Sequence, residues 1–125
     1  MIDGIVNANL EAVVTLLLRS PDRRAREVDA VIDTGFNGYM SLLPTLVADL
    51  DLPIVGDGEA VLADGKEVSF NVYSVTVLWD GLPRHVEIGA VGDEPLVGMS
   101  LLVGHDLHVR VADGRRVTIS PVAET

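Results

Sequence analysis

The chain contains no cysteine, which excludes a disulfide framework and any thiolate metal centre. Basic residues are scarce: nine Lys and Arg stand against nineteen Asp and Glu, for a formal net charge of −10. Such a surface repels phosphate backbones and anionic membranes, so neither nucleic acid nor a membrane surface is expected as a partner. Long apolar runs are missing as well. The stretch Ala12 to Leu18 is far too short to span a bilayer, and Glu11 stands where a signal peptide would carry basic residues, so a soluble cytoplasmic protein is expected. Aromatic residues make up only 4%, and for Trp79, Tyr73 and Phe70 hairpin packing is favoured over a ligand box. No phosphate loop is present, and Ser100 follows Gly98-Met99 and not a nucleophile elbow, so serine hydrolysis has no support.

What is present points to a folded β protein. A length of 125 residues with 48% hydrophobic and 22% charged residues fits one domain over residues 1–125. Valine is abundant and twelve glycines supply tight turns. Gly4 and Asn7-Ala8-Asn9 read as a turn before a strand over Leu10–Leu18 that becomes buried on both faces toward its end. Arg19 to Arg26 reads as a solvated loop, and Glu27 to Ile32 as a strand entering the core. Pro44 opens a short helix over Thr45–Leu50, closed by Pro53. Three reversals then follow. Ala63-Asp64-Gly65-Lys66 separates Glu59–Leu62 from Glu67–Phe70, Asp80-Gly81-Leu82-Pro83 separates Val72–Trp79 from Val86–Val91, and Ala112–Arg115 separates Leu107–Val111 from Val117–Ile119. Met99, Leu102 and Val103 have helical spacing with Gly104 as the stop. Six to eight strands and two short helices are expected.

The carboxylate that invites chemistry is Asp33, which ends the apolar run Ala30-Val31-Ile32 and opens Asp33-Thr34-Gly35. A turn aspartate capping a reversal is the plain alternative, but this one ends a core strand. The bare tripeptide would arise in roughly one shuffled sequence of this composition in twenty, so its weight comes from context. A glycine-bearing hairpin follows about thirty residues later at Ala63–Lys66. Further on, Leu96-Val97-Gly98 leads into a short helix. His85, His105 and His108 are weak metal candidates, because His105 and His108 fall on opposite faces of a strand.

In this order of elements the chain resembles the retropepsin-like aspartic proteases, in the bacterial Asp-Thr-Gly-Phe form. The resemblance implies an all-β, closed acid-protease barrel and an aspartic endopeptidase without cofactor or metal. Asp33 would be the catalytic carboxylate. Thr34 would hydrogen-bond across a dimer axis, and the Gly35 amide would hold the carboxylate in plane. Ala63, Asp64, Gly65 and Lys66 would form the flap over an extended peptide substrate. Aspartic chemistry needs two carboxylates sharing one proton. With a single copy of the motif, two chains must meet as a homodimer. Phe36 offers no hydroxyl to the outer carboxylate oxygen. Met99 and Ser100 stand where the retroviral enzymes carry Arg and then Asn or Asp, which points to apolar packing through Met99 at the dimer contact. The competing expectation is a non-catalytic binding or dimerisation module on the same fold.

Overall fold

Alternating valines and leucines build the first layer of sheet. In the computed structural model, which describes residues 1–123, β1 (Ile2–Val6) runs antiparallel to β2 (Ala12–Arg19), and β2 to β3 (Ala25–Ile32). Val14, Leu16 and Leu18 are buried at every second position of β2, the period a strand imposes. Leu17, on the other face, is only half-buried, opposite Leu78, so the expected two-sided burial of this strand is partial.

Two sequence expectations change here. Gly4 lies inside β1 and not in a turn, because a Cβ there would sit 2.2 Å from the carbonyl oxygen of Val13 on the neighbouring strand. The turn is Asn7–Leu10, where the Asn7 side chain accepts the Asn9 and Glu11 amides. The basic loop is also shorter than expected. Pairing runs from Arg19↔Ala25 inward, and the reversal is held by Ser20, whose hydroxyl accepts the Arg24 amide.

The remaining elements are β4 (Met40–Ser41), α1 (Pro44–Asp49), β5 (Ile54–Val61), β6 (Glu67–Trp79), β7 (Leu82–Gly89), β8 (Leu96–Val97), α2 (Met99–Leu102), β9 (His105–Val109) and β10 (Arg116–Pro121). Strands hold 53% of the described residues and helices 8%, so the protein is all-β with two short helices. The ten strands exceed the expected six to eight, largely through β1 and the two-residue strands β4 and β8.

One ring of six strands closes on itself in the order β6, β7, β4, β8, β3, β2. The closing seam is the antiparallel pairing of Leu17–Arg19 with Thr76–Leu78. Closure pairs the edges that β2 and β6 would otherwise expose along this seam. Inside lie Leu18, Met40, Val77, Ile88, Val97 and Leu101. From the barrel β1, β10 and β9 continue as an outer sheet, and β5 hangs from β6, leaving β9 and β5 as the sheet edges. No helix among the described residues is long and apolar enough to cross a membrane.

Candidate functional site

Asp33 sits where β3 leaves the barrel. The strand β8 is threaded between β3 and β4: Val31↔Leu96 and Ile32↔Val97 are parallel pairs, while Met40↔Val97 and Ser41↔Leu96 are antiparallel. Leu96-Val97-Gly98 is thus wedged between the two strands that flank the Asp33 loop. The Asp33 amide donates to the Val97 carbonyl at 2.9 Å, and the Gly98 amide to Tyr39 at 2.9 Å. Farther along, Met99 N–H donates to Phe36 C=O at 2.8 Å and Ser100 N–H to Gly38 C=O at 3.2 Å. The Ser100 hydroxyl adds a bond to the Asn37 carbonyl.

This clasp explains Gly98. A Cβ there would fall 2.1 Å from the Gly38 oxygen and 2.7 Å from the Phe36 ring, so only glycine allows the two segments to lie together. Phe36, whose missing hydroxyl was noted above, instead packs its ring against Gly38 and Gly98.

The Asp33 carboxylate accepts the Gly35 amide at 3.0 Å through Oδ1. Among the described residues no other hydrogen bond and no ion pair reaches it. One oxygen is fixed by the backbone and the other is open. Asp33 is half-buried, while Thr34 and Gly35 are exposed, so the loop presents its carboxylate at the surface of the chain.

Two cavities flank the loop, and Asp33 lines neither. One, of about 510 Å³, is bounded by Phe36 and Tyr39 of the loop and by Phe70, Val72, Ile88 and Leu96. Its wall is almost wholly apolar, with Glu87 as its one ionisable group besides the Tyr39 phenol. The other, of about 430 Å³, is bounded by Thr34, Asn37, Met99, Val103, His105 and Leu107.

The Ala63–Lys66 segment forms the tip of the β5–β6 hairpin. Leu62 N–H donates to Lys66 C=O at 2.8 Å, Gly65 takes φ +83°, and the Asp64 carboxylate accepts the Lys66 amide at 3.0 Å. These bonds stay within the hairpin. It is the stem, through Ala60 and Phe70, that shares a cavity with the Asp33 loop. β7 pairs with β6 only from Val72 inward, so residues 57–71 form a two-stranded ribbon reaching beyond the barrel.

The sequence favours hairpin packing for Phe70, Tyr73 and Trp79, and Phe70 does lie over Gly58 across the β5–β6 hairpin. Trp79 is buried against His105, to whose Nε2 its indole N–H donates at 3.2 Å, while Phe70 walls the apolar cavity. A signal was available: counted outward from the Asp64-Gly65 turn, Gly58 falls directly opposite Phe70, leaving room for the ring over a residue without a side chain. The histidines do not converge. His85 bonds Thr76 at 2.8 Å, and His105 uses its second nitrogen on the Val103 carbonyl at 3.0 Å. Among the described residues no group of three His, Asp or Glu is close enough to hold a metal ion.

Compared with known proteins, the chain matches no family model and no curated protein.

Proposed function

We propose that the chain is a retropepsin-like aspartic endopeptidase that acts as a homodimer, hydrolysing peptide bonds with a water activated between two Asp33 carboxylates. The observation that carries this reading is the clasp: Asp33, on a loop pinned by Leu96-Val97-Gly98, with one carboxylate oxygen bonded to the Gly35 amide and the other free. Two of the elements on which the sequence resemblance rests, Asp33-Thr34-Gly35 and Leu96-Val97-Gly98, meet at this loop although they are more than sixty residues apart in the chain.

In this mechanism two Asp33 groups lie across a two-fold axis and share one proton, since two carboxylates at close range cannot both stay ionised. The ionised partner takes a proton from water while the protonated one donates to the scissile carbonyl oxygen. The attacking oxygen bonds to the carbonyl carbon, and the tetrahedral species collapses as the amide nitrogen leaves with a proton from the pair. The Gly35 amide keeps each carboxylate near the plane of the dyad. Thr34, exposed beside Asp33, bonds across the axis in this reading. An extended peptide adds as a strand beneath the β5–β6 hairpin, with one apolar side chain in the cavity walled by Phe36 and Phe70. This reading keeps the cytoplasmic setting expected from the sequence.

The test is Asp33→Asn. Cleavage of a peptide library is expected to fall by at least about a thousandfold, the scale of losing a member of a catalytic unit, with the circular dichroism spectrum unchanged. Retained cleavage would falsify the proposal. A wild-type chain that binds peptides and never cleaves them would leave the binding-module reading in its place.

A further inference from the structure

We propose that the open edge of β9 pairs with the same edge of a second copy, two-fold about Leu107, with Asp106 and His108 setting the register. This rests on the dimeric reading above and assigns the surface that makes the dimer. β9 ends the sheet and pairs only with β10 among the described residues.

Ladder parity identifies the free backbone groups. Arg110 N–H donates to Arg116 C=O at 3.2 Å, and Val122 N–H to Gly104 C=O at 2.9 Å. The even-numbered residues of β9 therefore turn their backbone groups toward β10, and His105, Leu107 and Val109 turn theirs outward. Pro121, which has no N–H to give, stands opposite His105, as this parity requires.

Antiparallel pairing about Leu107 sets Leu107 against its own copy and His105 against the partner subunit's Val109. Each of these is a hydrogen-bonding position. Between them Asp106 faces the partner subunit's His108, and His108 faces the partner subunit's Asp106, in the closer non-hydrogen-bonded positions. Both side chains are exposed. The segment His105-Asp106-Leu107-His108-Val109 is thus self-complementary in this register. Moving the centre to Val109 sets His108 against Arg110, and moving it to His105 leaves Asp106 opposite Gly104. For a chain with a net charge of −10, most faces repel a second copy, so a strand that matches acid with imidazole is a selective place to meet.

The same face leads to the candidate site. The 430 Å³ cavity is bounded by Leu107 on one side and by Thr34 and Asn37 on the other. Between them Met99 and Val103 are 45% and 73% exposed. A copy seated on β9 would lie beside this cavity, on the side where Thr34 of the Asp33 loop is exposed.

Sedimentation velocity on the full chain over a micromolar concentration series tests this. Asp106→His sets imidazole against imidazole and His108→Asp sets carboxylate against carboxylate. Each is expected to raise the dimer Kd about tenfold, because every substitution spoils two symmetric cross-strand pairs. The double variant D106H/H108D re-creates the match and is expected to return to within about threefold of wild type. Circular dichroism checks that all three fold. If wild type dimerises and the variants dimerise equally well, the edge is not the interface and the dimeric reading survives. If wild type stays monomeric throughout, with and without peptide, the dimeric reading fails and this proposal with it.

Discussion

The Asp33 loop and the β5–β6 hairpin are both glycine-bearing reversals, yet the fold holds them in opposite ways. The loop is stitched to residues 97–100 by backbone bonds at nearly every step, and Gly98 lets the two segments touch. Beyond Val72 the hairpin has only its own two strands. Val61 and Leu62 are 69% and 47% exposed, and a lone two-stranded ribbon is marginal in water. The difference teaches where rigidity is placed. Under the proposed function this division has a use: a carboxylate that must meet another within hydrogen-bonding distance needs a fixed loop, whereas a cover that admits a peptide needs a segment that opens cheaply.

The strongest way to break the comparison is to add the same methyl group to each region. Gly98→Ala, with its Cβ 2.1 Å from the Gly38 oxygen, is expected to cost about 3 kcal/mol or more in urea unfolding. Gly65→Ala, at φ +83° with nothing within 4 Å, should cost only about 1 kcal/mol of backbone strain. Equal losses would mean that the loop is no better packed than the hairpin.

Hydrogen exchange sharpens the contrast at an intermediate scale. Amides of Asp57–Val61 and Glu67–Asn71 are expected to exchange at least about a hundredfold faster than those of Asp33, Gly98 and Met99. A peptide-like transition-state mimic should slow the hairpin and leave the loop unchanged. Matching protection in the free protein would refute the idea of a soft cover.

The smallest effects belong to two acids outside both regions. The Ser20 hydroxyl donates to Asp22 and holds its carboxyl below the ordinary value of 3.8. Its contribution is full above that value and is lost as pH falls through the lower folded one. Glu94 has the opposite sign: partial loss of hydration, then the charges of Glu11 and Asp93, raise it above the ordinary 4.5. Its ionised form weakens the fold above the raised value, and that penalty fades as pH falls toward 4.5. In thermal unfolding from pH 7 to pH 3, Asp22→Asn should therefore lose stability that converges on wild type in acid. Glu94→Gln should gain stability that disappears there. Curves parallel to wild type at every pH would contradict both assignments.

Much of this arrangement was legible in the chain. Ala30-Val31-Ile32 before Asp33 read as a core strand ending at a loop, Asp64-Gly65 as a turn, and Met99–Val103 as a short helix, because each signal is local. Tyr39–Leu43 has β-like composition and holds β4, but β8 was not legible as a strand, nor was the pairing of either. Two residues carry no periodicity, and their pairing exists only because β8 is wedged between chain segments that are distant in sequence. Gly4 misled for a different reason: a glycine chosen for close approach to a neighbouring strand looks, in sequence, like one chosen for a turn. The apolar cavity was hidden in the same way, since its walls come from the loop, the hairpin stem and β7 together.

The seam between Leu17–Arg19 and Thr76–Leu78 has a kinetic consequence. It joins segments about sixty residues apart, and closing so long a loop is entropically costly before any contact rewards it. The ring is therefore expected to shut after the local hairpins have formed. In that order, one edge of β2 and one edge of β6 would stay open until the seam forms. The formal net charge of −10 is expected to keep such open edges on separate chains apart.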